Sequence, residues 1–330
     1  MSESGGRGRG AAGPGGAPRE GFADRLFRAV KEKRSALVVG LDPVLERLPE
    51  EALREAGAVP GRGDAGPGGP EGFPARAAEA IRIFLEGVLE AVADEAVAVK
   101  PNLAFFERYG APGWECLSWI SARAKGLGLL VIADAKRGDI GSTAEAYAEA
   151  LLGDLPGTLG PHVDAATVQP YLGTDSVGPF VRRAREGGRG LFVLVRTSNP
   201  SAAEIQDLDC AGEPLYLRVA RLVERWGEGT AGASGFASVG AVAGATSPDV
   251  LRALRSAVPR APFLVPGYGA QGATAEDLRG AFLPGGLGAV VNASRSVIFA
   301  YEKRSGAWRD AVRAAAAAAR AEIEAVRSRA

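Results

Sequence analysis

The sequence of 330 residues predicts a closed (β/α)8 TIM barrel that forms a single domain. Eight short apolar runs recur along the chain, and each is followed by a polar or glycine-rich turn and then by an amphipathic segment. The runs are rich in β-branched residues and show no polar–apolar alternation, which is typical of parallel strands buried on both faces. An open doubly wound sheet is the alternative architecture.

The predicted elements follow one another in the order that a barrel requires. In chain order, the predicted strands are 36–43, 96–102, 129–136, 165–173, 191–200, 237–246, 261–269 and 287–294. Amphipathic segments between them predict helices over 113–125, 143–152, 177–186, 214–226, 248–258 and 274–281. A further helix over about 21–33 precedes the first strand, and an alanine- and arginine-rich helix over about 306–328 follows the last.

Two segments lack the composition of folded structure. Residues 1–20 are rich in Gly, Ala and Pro, and we expect a disordered tail there. Residues 57–72 have a similar composition, and we expect a flexible surface insertion between two helices. The barrel itself is therefore expected to span residues 21–330.

Composition excludes several classes of function. The 39 basic side chains balance 39 acidic ones, so the chain lacks the basic excess that nucleic-acid binding requires. No apolar run approaches the roughly 20 residues of a membrane span, and the N-terminal residues have no apolar core of a secretory signal. Cys116 and Cys210 have no metal-ligand spacing, so we expect no metal and a reducing, cytoplasmic location.

The strongest chemical signal is the run DAKRGDIGST, which follows the third strand. Asp134 and Lys136 lie two residues apart on a strand and therefore point to the same face. Lys100 ends the neighbouring second strand, and Asp139 lies in the turn beyond the third. These four residues can form an alternating line of charge at the carboxyl ends of the strands, where barrel enzymes carry their active sites. Thr143, or the serine before it, is expected to cap the next helix.

The choice of lysine bears on how this line of charge is interpreted. Only six of the 39 basic residues are lysine, yet lysine occupies both cationic positions of the line. A purely structural ion-pair network is the alternative, but it would favour the bidentate guanidinium of arginine. Two lysines instead indicate proton transfer or a Schiff base.

A second polar cluster follows the last two strands. The loop after strand seven reads PGYGAQG and an arginine follows strand eight, so the candidate groups are Gly267, Gly269, Gln271, Gly272 and Arg295. Backbone N–H groups, an amide and a guanidinium suit a phosphate, and these two loops are the usual phosphate site of the fold. The loop also fits a dinucleotide fingerprint, but the acidic residue expected about 20 positions later is absent. A plain glycine turn with a surface arginine is the alternative.

Two other strand ends carry weaker signals. Asp42 ends strand one and suits a carboxylate that accepts hydrogen bonds from sugar hydroxyls, although an ordinary turn aspartate before proline fits equally well. Ser198 lies in a long polar loop over 197–212, which is a candidate lid.

Taken together, these motifs resemble those of the orotidine 5'-phosphate decarboxylases. The matching residues are GLDP at strand one, KPN at strand two, DxKxxDIxxT after strand three, TSNP at strand five, PGYGAQG at strand seven and SRS after strand eight. The resemblance covers about residues 22–300, and its most specific part is the strand-three motif. The chain length and the form of DAKRGDIGSTA resemble the type 2 subgroup found in bacteria.

The resemblance implies decarboxylation of orotidine 5'-phosphate to UMP in de novo pyrimidine synthesis, without metal or cofactor, by a homodimer with shared active sites. It implies that Lys136 donates a proton to the carbon that loses carbon dioxide, with Asp134 beside the departing group and Lys100 linking it to the ribose. Asp139 and Thr143 would reach into the partner's site. The other implied contacts, with ribose, base and phosphate, fall on Asp42, Ser198, Gln271 and Arg295.

Three other functions remain open at this point. One is a metal-dependent phosphosugar decarboxylase or aldolase on the same barrel, which would place a carboxylate where Lys100 stands. A second is a Schiff-base aldolase that uses Lys136 or Lys100. A third is a nucleotide-binding protein that keeps the barrel without catalysis.

Overall fold

The computed structural model describes residues 19–58, 69, 71–269, 272–304 and 306–330. Most of the predicted tail and most of the predicted insertion lie outside the described residues. Helices precede and follow the insertion, at Glu50–Glu55 and Phe73–Val92, as the sequence predicted.

Eight parallel strands close into a barrel in which each strand pairs with the next and the eighth pairs with the first. Their bounds are β1 Leu37–Leu41, β2 Ala98–Pro101, β3 Leu130–Arg137, β4 Ala165–Val168, β5 Gly190–Arg196, β6 Val239–Ala243, β7 Phe263–Val265 and β8 Ala289–Ala293. Each strand overlaps its predicted run and extends no more than one residue beyond it. The predicted (β/α)8 barrel is therefore confirmed.

Helices surround the barrel and connect its strands. They are α1 Phe22–Lys33, α2 Glu50–Glu55, α3 Phe73–Val92, α4 Ala104–Glu107, α5 Gly110–Gly126, α6 Gly141–Leu152, α7 Thr174–Gly187, α8 Ala203–Gln206, α9 Leu215–Gly227, α10 Pro248–Ala257, α11 Arg295–Ile298 and α12 Trp308–Arg327. None of these helices, within the described ranges, has both the length and the apolar composition needed to cross a membrane.

The prediction of an amphipathic α-helix over 274–281 is wrong, because the structure has a 3-10 helix at Glu276–Ala281. The carboxylate of Asp277 accepts hydrogen bonds from both the backbone N–H and the hydroxyl of Thr274, at 2.7 and 2.8 Å. This local side-chain bonding competes with a regular first helical turn. Gly280, near the end of the segment, further lowers its helix propensity.

The start of α6 also differs from the expectation. The N-cap position belongs to Ile140, whose side chain makes no capping hydrogen bond, so neither Ser142 nor Thr143 is the cap. The carboxylate of Asp139 accepts the N–H of Ile140 at 2.7 Å, and Gly141 then turns the chain into the helix with a φ of 54°. The helix therefore begins two residues earlier than predicted, with Thr143 inside its first turn.

The barrel interior is apolar and is covered at one end by α1. The edge of Phe22 meets the ring of Phe192 at 5.8 Å, and Phe27 packs against Phe236 at 4.3 Å. These rings belong to the same buried cluster as inward-facing strand residues such as Val38 and Ile132. α1 covers the amino-terminal ends of the strands, and Lys100, Asp134 and Lys136 lie at the opposite, carboxyl-terminal mouth.

Arg255 of α10 holds together the amino-terminal end of the barrel. It is buried, stacks on the ring of Phe263 at 3.6 Å, and its guanidinium donates to five backbone carbonyls, those of Val258, Pro259, Ala261, Ala281 and Gly288. We expect Arg255→Ala to lower the free energy of unfolding by at least about 3 kcal/mol, because buried carbonyls lose their donor. Chemical denaturation measures this change, with the exposed Arg252→Ala of the same helix as the control. If both substitutions lowered the free energy of unfolding equally, the stabilising role of the buried Arg255 would be contradicted.

Candidate active site

The mouth of the barrel contains two adjoining cavities. The larger, about 440 Å³, lies over β2 to β7 and is bordered by the loop after β5. The smaller, about 160 Å³, lies toward β1, β8 and the loop after β7. Lys100, Asp134 and Pro266 border both cavities, so the buried charged residues stand at the junction between them.

Three of the four residues in the predicted line of charge meet at this junction. The ammonium group of Lys100 donates to one carboxylate oxygen of Asp134 at 2.5 Å, and that of Lys136 donates to the other at 2.5 Å. β2 and β3 are neighbours, with Ala98 opposite Leu130 and Asn102 opposite Asp134, and the Lys100 side chain reaches Asp134 from this adjacent strand. The result is one carboxylate held between two ammonium groups.

Burial and charge together determine the protonation of this cluster. Burial alone would raise the pKa of Asp134, but the ammonium groups of Lys100 and Lys136 outweigh it and hold that pKa below its usual range. Burial alone would lower the pKa of Lys100, but the carboxylates of Asp134 and Asp42 outweigh it and raise that pKa. The Lys100 and Asp134 side chains are 7% and 9% exposed, whereas that of Lys136 is 48% exposed. Of the two cations that border the larger cavity, Lys136 is therefore the more accessible to a ligand.

The backbone at Lys136 is unusual. Its φ is 48°, in the left-handed region that non-glycine residues rarely adopt, and the register between β3 and β4 shifts between Ala133 and Arg137. An irregularity of this kind redirects a side chain next to an active site. The N–H of Lys136 donates to the hydroxyl of Thr167 at 3.0 Å, and that hydroxyl donates to Asp134 at 3.0 Å. Sequence reasoning missed Thr167, although a lone hydroxyl in the apolar strand AATV was an available signal.

The structure does not bring Asp139 or Thr143 to the cluster. Among the described residues, Asp139 forms no ion pair, and its carboxylate accepts the N–H of Ile140. Thr143 is exposed on the first turn of α6, and large apolar side chains nearby are also exposed, with Ile140 at 56% and Tyr147 at 36%. Both predicted residues therefore lie at a surface beside the mouth rather than inside it.

The smaller cavity is bordered by the polar side chains of Asp42, Asn292 and Ser294. One carboxylate oxygen of Asp42 accepts the hydroxyl proton of Ser294 at 2.5 Å. The other oxygen of Asp42 and the side-chain oxygen of Asn292 are buried without a hydrogen-bond partner among the described residues. Buried acceptors normally have donors, so these two atoms are available to hydroxyl groups of a ligand. Sequence reasoning missed Asn292, although a single amide in the apolar run VVNA was an available signal.

Three glycines of the loop after β7 have left-handed backbone. Gly267, Gly269 and Gly272 have φ values of 102°, 75° and 89°, which strongly favour glycine. The N–H groups of Gly269 and Gly272 are used within the turn, since they donate to Ala273 and Gly269, both at 3.1 Å. Those two glycines therefore shape the loop, contrary to the expectation that their N–H groups face an anion.

Gly267 and Arg295 lie together on the smaller cavity. Arg295 is exposed and forms no ion pair with any residue that the structure describes, so its guanidinium is uncommitted. Gln271 lies outside the described residues.

Ser198 borders the larger cavity, in the loop after β5. This loop contains a 3-10 helix at Pro200–Ala202 and α8. Gln206 accepts the N–H of Thr197 at 2.8 Å, and the carboxylate of Asp207 accepts two hydrogen bonds from Arg196 at 2.7 and 3.0 Å. These contacts fix both ends of the segment that carries Ser198.

Comparisons with known proteins agree with the resemblance of the motifs. The sequence model of the "Orotidine 5'-phosphate decarboxylase / HUMPS family" matches residues 75–311. The orotidine 5'-phosphate decarboxylase of Deinococcus radiodurans is 49% identical over 291 residues, which cover 88% of this chain and 93% of that protein. That of Rhodopirellula baltica is 43% identical over 302 residues, covering 89% and 96%.

A solved structure of similar length has the same fold. Leishmania donovani OMP decarboxylase matches with a TM-score of 0.71 and 33% sequence identity, over 93% of this chain and 98% of that one. The family match, the extent of these relatives and the closed barrel lead to one conclusion: this chain belongs to the orotidine 5'-phosphate decarboxylase / HUMPS family.

Proposed function

We propose that this enzyme decarboxylates orotidine 5'-phosphate to UMP in de novo pyrimidine biosynthesis, without a metal or cofactor. The observation that carries the proposal is the contact of Lys100 and Lys136 with the buried carboxylate of Asp134. This cluster faces a cavity of about 440 Å³, which is within the usual range for a small-molecule site. The family and the names of the relatives support the same substrate.

The reaction requires a proton donor beside the carbon that reacts. When the bond to the carboxylate breaks, carbon dioxide leaves and an electron pair remains on a ring carbon that has no adjacent electron sink. The ammonium of Lys136 stabilises this charge and then transfers its proton to the carbon, leaving a neutral amine that regains a proton from water. A guanidinium in this position would be a far poorer acid.

The other members of the cluster position this ammonium group and the substrate. Asp134 holds Lys136 in place and lies beside the departing carboxylate, and Lys100 keeps Asp134 ionised and reaches toward the ribose. The unpaired oxygen of Asp42 accepts a ribose hydroxyl, and Ser198 contacts the base.

The phosphate binds where Gly267 and Arg295 border the smaller cavity, with Gln271 as a further contact. We expect Arg295→Ala to raise KM by roughly a hundredfold, because a charge-assisted bond to the phosphate is lost. Steady-state kinetics measure the change, with Arg313→Ala, an exposed arginine of α12, as the control. An unchanged KM would remove Arg295 from the phosphate site.

We propose further that the enzyme is a cytoplasmic homodimer in which Asp139 and Thr143 reach the partner's active site. Asp139 forms no ion pair among the described residues, although it lies just beyond the strand that carries Asp134 and Lys136. The surface around it exposes large apolar side chains, including Ile140 at 56%, which a second copy of the chain would cover.

The proposed function is tested by following the absorbance of orotidine 5'-phosphate with purified enzyme, with and without EDTA. We expect turnover to UMP at the same rate in both conditions. Loss of activity in EDTA would favour the metal-dependent alternative. A substrate adduct trapped by borohydride would favour the Schiff-base alternative. Tight UMP binding without turnover would favour a protein that has lost catalysis.

A further inference from the structure

Thr167 contacts the catalytic cluster but has no place in the reaction described above. It lies near the end of β4, is 1% exposed, and borders the larger cavity. Its hydroxyl bonds to the backbone N–H of Lys136 and to a carboxylate oxygen of Asp134, both at 3.0 Å. The same carboxylate oxygen receives the ammonium group of Lys136.

The direction of these two bonds follows from their chemistry. A backbone N–H can only donate, so the Thr167 oxygen accepts from Lys136. An ionised carboxylate can only accept, and Asp134 is ionised because its pKa lies below the usual range. The single hydroxyl proton therefore points to Asp134, and the hydroxyl connects the backbone of one residue to the side chain of the other.

The Thr167 hydroxyl bonds to the backbone at the point where β3 is irregular. Lys136 has a φ of 48°, a conformation that costs a non-glycine residue free energy and persists only where surrounding contacts stabilise it. The shifted register between β3 and β4 occurs at this point. The hydroxyl of Thr167 provides an acceptor for the N–H of Lys136 on the neighbouring strand, and so stabilises the conformation that turns the lysine toward the cavity.

We propose that Thr167 is a positioning residue for the decarboxylation. Its hydroxyl holds the backbone of Lys136 and one oxygen of Asp134 in fixed relation, so that the ammonium group stands where the reacting carbon will lie. The inference rests on the proposed function. Because the effect concerns the alignment of the proton donor rather than the contacts with ribose and phosphate, it should change kcat and leave KM nearly unaltered.

The test compares Thr167→Val, which replaces the hydroxyl with a methyl group of similar size, with Thr167→Ser, which keeps it. We expect kcat of Thr167→Val to fall by roughly ten- to hundredfold, with KM within about threefold of wild type. Thr167→Ser should restore kcat to within about threefold of wild type. If Thr167→Val does not fold, Thr167→Ala, which also lacks the hydroxyl, is compared with the serine variant in the same way.

Thr230 offers a matched control far from the mouth. Its buried hydroxyl also accepts a backbone N–H, that of Ser238 at 3.0 Å, and donates to the carbonyl of Gly227 at 2.7 Å. Thr230→Val should lower the melting temperature but leave kcat unchanged. A kcat of Thr167→Val near that of wild type, or a serine variant as slow as the valine variant, would overturn the inference alone. A wild-type enzyme without turnover would instead overturn the proposed function.

Discussion

Lys136→Ala is expected to lower kcat by at least roughly a thousandfold, because the substitution removes both the charge that stabilises the carbanion and the proton that quenches it. Affinity for UMP should change by less than about threefold, since the ribose and phosphate contacts remain. Single-turnover kinetics and a binding titration measure the two quantities separately.

Two further variants test whether the proton of Lys136, rather than its charge alone, is required. Lys136→Arg keeps a cation at the position but cannot supply the proton, so its kcat should also stay far below that of wild type. Lys303→Ala, which removes an exposed lysine beyond the last strand, should behave as wild type. If Lys136→Ala retained more than about a tenth of wild-type kcat, Lys136 would not be the proton donor.

A mixture of two inactive variants is expected to recover activity. In the proposed homodimer, a hybrid of a Lys136→Ala chain with an Asp139→Ala chain has one site in which both residues are intact. Equal mixing under conditions that allow subunit exchange should therefore restore about one quarter of wild-type activity. The measurement is turnover before and after exchange of the two purified proteins.

The control for this mixture is a pair that cannot complement. Lys136→Ala mixed with Asp134→Asn should recover no activity, because each site takes both of these residues from the same chain and only Asp139 from the partner. A chain that carries both Lys136→Ala and Asp139→Ala should likewise recover no activity when mixed with Asp139→Ala, since both sites of that hybrid lack Asp139. Absence of recovery in the Lys136→Ala and Asp139→Ala mixture, although hybrid dimers are present, would show that the sites are not shared.

The sequence was sufficient for the architecture and for the centre of the site. Short β-branched runs without alternation are typical of parallel strands buried on both faces, and their number and order favoured the closed barrel over an open doubly wound sheet. The two-residue period of a strand placed Asp134 and Lys136 on one face, and the order of the strands placed Lys100 beside them. These predictions depended only on local periodicity and on which strands are neighbours.

Other features required the tertiary structure. The left-handed backbone of Lys136 and its bond to Thr167 arise from a register shift between two strands, and no local pattern marks such a shift. α6 begins after Asp139, whose carboxylate accepts the N–H of Ile140, and at the left-handed Gly141, so neither Ser142 nor Thr143 occupies the cap position. Periodicity specifies which face a side chain occupies, but only the packing of neighbouring strands and loops decides which atoms come within hydrogen-bonding distance.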